Sequence, residues 1–124
     1  MDEIQEAIRK FQKELNSGTS ALVLLGVLSR AETPMYGYQI AKLIEAGSNG
    51  SSVVKQGALY PVLRSLEASG LLQSEVEPSV SGPPRRYYRI TPAGHTALEK
   101  WTELWQQTRT FVDTMLQGGD EDEK

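Results

Sequence analysis

The chain has 124 residues, 39% of them hydrophobic and 23% charged, the proportions of an ordinary globular domain rather than of a disordered chain. With no cysteine and a single histidine, His95, disulfide frameworks, cysteine nucleophiles, thiolate metal sites and imidazole clusters are excluded. The net charge of −3 is uneven: residues 120–124 account for all of it, while residues 30–90 carry seven Arg or Lys against five Glu, so any nucleic-acid binding must rest on well-placed contacts or on two copies of the domain.

Ile4, Ile8, Phe11 and Leu15 recur at helical spacing behind Asp2, Glu3 and Glu6, which suit the amino end of a helix dipole. Asn16-Ser17-Gly18 then predicts a break, with Thr19 or Ser20 capping a second helix. That second segment, Ala21 to Leu28, is apolar on all sides and is expected to lie centrally. It is also the longest apolar run and far short of the ~20 residues that span a membrane. No basic-then-apolar leader opens the chain, so a soluble cytoplasmic protein with no membrane partner is expected.

Thr33-Pro34-Met35 reads as a turn, and Ile40, Ala41, Leu43 and Ile44 mark a short helix ended by Gly47. Ser48-Asn49-Gly50-Ser51-Ser52 is loop by composition. Leu59, Val62, Leu63 and Leu66 give the core face of a helix over 56–69, closed by Gly70 at C′ with Leu71 supplying the accompanying contact. Pro61 must lie in the first turn or kink the helix, because proline offers no amide donor, and this places the start near Gln56 to Ala58. The period then switches to two in residues 72–77 and 85–90 around a Pro/Ser/Gly loop, which predicts a β-hairpin with a long tip. Thr91-Pro92 supplies an N-cap and an N1 proline for a last helix running to about Leu116. Its stripe, Leu98, Trp101, Trp105, Val112 and Met115, is longer than so small a globule can cover and calls for a second chain. Gly118-Gly119 and the acidic end are expected to be disordered.

Helix, short helix, turn, helix, hairpin and long helix is the plan of a winged helix-turn-helix: a mainly α fold with a small β-hairpin and a long C-terminal dimerisation helix. The divisions expected are 1–17 for an N-terminal helix, 18–91 for the winged domain, 92–117 for the dimerisation helix and 118–124 for the tail. In such proteins the second helix of the pair enters the major groove. With its leucines turned inward, helix 56–69 presents Gln56, Tyr60, Arg64 and Glu67, with Lys55 just ahead. Gln suits adenine and Lys or Arg suits guanine, while the Tyr60 hydroxyl suits a phosphate oxygen; a merely solvated face is the competing reading. Arg85, Arg86 and Arg89 beside the Pro/Gly loop suit phosphates or a narrow minor groove, or else protect an edge strand by charge.

Three segments carry a resemblance: Pro34-Met35-Tyr36-Gly37-Tyr38-Gln39-Ile40, then Gly57-Ala58-Leu59-Tyr60-Pro61-Val62-Leu63-Arg64-Ser65-Leu66-Glu67 with Gly70-Leu71, then Arg86-Tyr87-Tyr88-Arg89-Ile90-Thr91-Pro92-Ala93-Gly94. Together, over about residues 20–105, the chain resembles the PadR family of bacterial transcription regulators, in its short branch with a single long last helix. The resemblance implies a homodimeric winged-helix repressor binding a pseudo-palindromic operator. Tyr36, Tyr38 and Gln39 would then sit in the first helix of the pair, where DNA backbone contacts are made, Lys55, Gln56, Tyr60 and Arg64 on the reading helix, and Arg85 and Arg86 on the wing. In some short members a tryptophan of the last helix lines a pore between subunits and stacks on flat aromatic compounds; Trp105 matches it, with Trp101 one turn away. Dimer core is the other reading of this pair. His95 has no partner at catalytic spacing, and no phosphate loop or nucleophile elbow is present, so neither an enzyme nor a cofactor is expected. A winged helix that binds only protein is the remaining alternative.

Overall fold

The computed structural model describes residues 2–47 and 56–118, with Gln56 described for its backbone alone. Among these residues four helices, α1 (Asp2–Ser29), α2 (Gly37–Gly47), α3 (Gln56–Ala68) and α4 (Pro92–Gln117), pack with a small sheet of β1 (Met35–Tyr36), β2 (Leu72–Glu77) and β3 (Arg85–Ile90). The predicted loop 48–52, Lys55 and the acidic tail from residue 119 onward lie outside the described residues.

The core is built where the sequence is most apolar. Leu24, Leu25 and Leu28 of α1 meet Ile40 and Ile44 of α2, Leu59, Leu63 and Leu66 of α3, and Met35, Leu72 and Tyr88 of the sheet. The C-terminal third of α1 is thus the central strut expected of Ala21–Leu28. Its N-terminal half is not a separate helix: α1 runs unbroken for 28 residues. The residues predicted to end one helix and cap the next turn their side chains back onto it. Thr19 Oγ1 donates to the Leu15 carbonyl at 3.0 Å, Ser20 Oγ donates to the Asn16 carbonyl, and Gln12 Nε2 donates to Asn16 Oδ1 at 2.8 Å. Bonds to the carbonyl four residues back satisfy the Ser and Thr hydroxyls without a cap, and the roughly 1 kcal/mol cost of Gly18 is borne by a long element buried at one end.

The sheet has one strand more than the predicted hairpin. β1 pairs antiparallel with β3 through Met35↔Tyr88 and Tyr36↔Tyr87, and β2 pairs with β3 from Leu72↔Ile90 to Glu77↔Arg85. The order β1-β3-β2 puts β3 in the middle. The expected turn at Thr33-Pro34-Met35 therefore ends one residue earlier, with Met35 already paired and buried, and Tyr36, expected in the first helix of the pair, instead closes β1 opposite Tyr87, one residue before α2.

The joints between α3, the hairpin and α4 follow the capping rules. Leu71 N–H bonds the Leu66 carbonyl and Gly70 N–H the Glu67 carbonyl, both at 2.9 Å, with Gly70 at φ +82°; this is a Schellman close, open to glycine at little steric cost. Thr91 accepts the Gly94 N–H at 3.0 Å as N-cap of α4 while its hydroxyl donates to the Gly70 carbonyl at 2.7 Å. Pro61 is the sixth residue of α3, beyond the first turn.

Candidate nucleic-acid interface

α3 buries Leu59, Leu63 and Leu66 and presents Tyr60, Arg64 and Glu67 on the opposite side, the first two exposed and the third half-buried. This is the predicted outward stripe, less Lys55 and the side chain of Gln56. Tyr60 is more than a surface phenol. Gly37 opens α2, and a β-carbon there would stand 2.3 Å from Tyr60 Oη and 2.6 Å from its Cζ. The bare backbone of Gly37 receives the end of the Tyr60 ring, so α2 and α3 are keyed together at the amino end of α2.

The three wing arginines do not form one cluster. Alternation along β3 sends Arg85, Tyr87 and Arg89 to one face and Arg86 and Tyr88 to the other. On the first face the Arg85 guanidinium carbon lies 4.4 Å from the Tyr36 ring centroid. Tyr36 stacks on Tyr38 at 6.4 Å and meets Tyr87 edge-on at 5.3 Å, and Lys42 Nζ lies 5.7 Å from the Tyr38 ring. Cations at these distances are drawn to the electron-rich ring faces, so Lys42 and Arg85 flank the stacked pair Tyr38 and Tyr36 in a row running from α2 to the loop end of β3. Gln39, predicted among the backbone-contacting residues, has its side-chain oxygen engaged by the Tyr36 N–H at 3.0 Å; its amide donors are what it can offer outward. On the other face Arg86 Nη1 donates to Ser74 Oγ at 2.9 Å. Beneath it burial, reinforced by the Glu67 carboxylate, pushes the Tyr88 phenol above its ordinary pKa against the pull of Arg86 and Arg64.

The structure therefore brings Tyr36, Tyr38 and Arg85 together on one flank, and Tyr60, Arg64 and Arg86 around Tyr88. Three contributors escaped the sequence reading: Lys42, Glu67 as a partner rather than a surface charge, and Gly37. The Tyr-Gly-Tyr spelling was visible, yet the ring that needs the glycine lies 23 positions downstream in α3.

Trp101 and Trp105 lie elsewhere. Trp101 packs half-buried against the core and Trp105 is 40% exposed. Both line a groove of about 440 Å³ between α1 and α4, with Leu15, Leu22, Leu104 and one charged residue, Glu14.

A helix pair locked at Gly37, a three-stranded wing behind it and cations on the exposed side of both define a winged helix-turn-helix DNA-binding protein. The model of the PadR-like family of transcriptional regulators matches residues 24–100. A PadR family transcriptional regulator from Eggerthella lenta superimposes with a TM-score of 0.76 at 31% identity over 94% of this chain and 97% of that one. A transcriptional regulator from Clostridium thermocellum gives 0.73 at 29% over 82% and 96%. The transcriptional regulator Rv3488 of Mycobacterium tuberculosis is 58% identical over 45 residues, 36% of this chain and 41% of that protein. The chain belongs to the PadR-like family of transcriptional regulators.

Proposed function

We propose that the protein is a homodimeric repressor that occupies a pseudo-palindromic operator and is released by a planar aromatic ligand. The observation that carries the DNA half is that Arg64 and Tyr60 on the exposed side of α3 and Arg86 of the wing all lie within electrostatic reach of Tyr88. In a two-fold dimer each α3 serves one half-site, the two roughly 34 Å apart. Dimerisation is supported by the apolar residues that α1 and α4 leave in solvent: Ile4, Ile8 and Phe11 in the first turns of α1 and Phe111, Met115 and Leu116 in the last turns of α4, each at least 59% exposed. A monomer seldom leaves so much apolar surface uncovered.

The test separates base contacts from phosphate contacts on duplexes recovered by selection from a random pool. Arg64→Ala is expected to cost about 1–3 kcal/mol and to relax base preference at one position of each half-site, while Arg86→Ala weakens binding evenly across sequences and flattens the salt dependence by about one phosphate per subunit. A salt-independent affinity would instead favour the protein-interaction reading.

The ligand half is supported by the groove. Two indoles one helical turn apart, with aliphatic walls and a single carboxylate, suit a flat apolar ring system. Because α1 and α4 also carry the dimer surface, a ligand that prefers one spacing of the two subunits shifts the population away from the DNA-competent form. Trp105→Ala is expected to weaken an aromatic dye titrated into the protein by about tenfold or more, and to remove the dye's effect on DNA binding. An unchanged dye response would overturn this half alone.

A further inference from the structure

Three elements meet at one hydroxyl. Ser74 of β2 donates from Oγ to Glu67 Oε2 of α3 at 2.8 Å, and Arg86 of β3 donates from Nη1 to the same Oγ at 2.9 Å. The direction of both bonds is forced, since a carboxylate only accepts, a guanidinium only donates, and a hydroxyl has one proton to give. Arg86 is Cα partner to Val76, so it reaches Ser74 along the diagonal of the hairpin, within range for a long side chain.

A direct Arg86–Glu67 ion pair would fix the guanidinium equally well but would set a carboxylate against it. Among the described residues no such pair forms. The serine takes one of five N–H donors, carries no charge itself, and keeps the anion one hydroxyl away. We propose that Ser74 is a positioning residue for DNA binding: anchored on Glu67, it holds the Arg86 guanidinium on the α3 side of the wing while leaving its charge and four donors for a phosphate. Wing and reading helix then meet the duplex as one preorganised surface, and part of the rotamer freedom of Arg86 is given up before binding. This rests on the reading of α3 and the wing as the DNA interface.

The experiment uses the full chain and a duplex selected with the unsubstituted protein. Ser74→Thr keeps the hydroxyl, and Ser74→Val has nearly the same shape without it; both are β-branched and at home in a strand. The expected result is binding by Ser74→Thr close to that of the unsubstituted protein and a loss of about tenfold for Ser74→Val, the scale of one hydrogen bond to a charged group. In an Arg86→Ala background the valine should cost nothing further, because the group it positions is gone. Equal binding by the two Ser74 variants, or a valine loss that persists in full without Arg86, overturns the proposal while leaving the DNA interface standing. Absence of any salt-dependent duplex binding by the unsubstituted protein overturns the interface and this inference with it.

Discussion

Gly94→Ala is expected to lower the stability of the fold by about 3 kcal/mol, a drop in Tm on the order of 10 °C for a chain of this size. Gly94 is the third residue of α4, a position where alanine ordinarily gains up to ~1 kcal/mol over glycine. Here the added β-carbon would stand 2.2 Å from the Leu71 carbonyl oxygen and 2.6 Å from Ile90 Cγ1. The nearer obstacle is backbone and cannot rotate aside. That same carbonyl accepts the Thr91 N–H at 3.1 Å, and the neighbouring Gly70 carbonyl accepts the Thr91 hydroxyl. Making room means lifting α4 off the α3–β2 joint, which weakens two hydrogen bonds worth ~1 kcal/mol each on top of an overpacking cost of about 1–3 kcal/mol. Gly26→Ala supplies the contrast, since nothing lies within 4 Å of the new methyl in α1; it is expected to stabilise by about 0.5–1 kcal/mol. Urea or thermal unfolding of the pair checks both signs, and equal effects at the two positions would refute the packing account of Gly94.

The same contrast explains what could be read from the sequence. Features set by neighbours in the chain were legible: the inward leucines of α3, the Gly70 close, the period-two arms of the hairpin, and the Thr91-Pro92 start of α4. Features set by distant partners were not. Gly94 and Gly37 look like ordinary helix-entry glycines until Leu71 and Tyr60 arrive beside them. β1 has two residues, too few to show a period. Asn16-Ser17-Gly18 spells a break by local rules, and tertiary burial of the following segment with backbone-directed hydroxyls overrides it. At the candidate interface the residue types were legible on α3 and the wing, but not that Arg85 and Arg86 part to opposite faces, one onto Tyr36 and the other onto Ser74. Glu67 was placed on the correct face of α3, and only the folded hairpin reveals that it faces a serine.

Phe111→Asp is expected to abolish self-association while sparing the fold, and to lower operator affinity by at least a hundredfold. Phe111 is 62% exposed in the single chain, so within one subunit the substitution exchanges one solvated side chain for another, at a cost within about 0.5 kcal/mol. In a dimer built on the apolar surfaces of α1 and α4 the aspartate would have to be buried without a partner, which costs several kcal/mol. Its effect on DNA follows from geometry rather than from contact. At 26 residues α4 is about 39 Å long and Phe111 lies far along it from the winged body. Losing the second subunit turns a two-point attachment into a single half-site encounter, a loss of roughly 10²–10⁴ in affinity. Val80→Asp at the hairpin tip, equally apolar and fully exposed, lies on neither of these helices and should leave association unchanged. Sedimentation of the two variants beside duplex titration decides the matter: a Phe111→Asp protein that still sediments as a dimer, or a monomer that holds the full operator as tightly as before, would remove the two-fold arrangement on which operator symmetry and ligand release both depend.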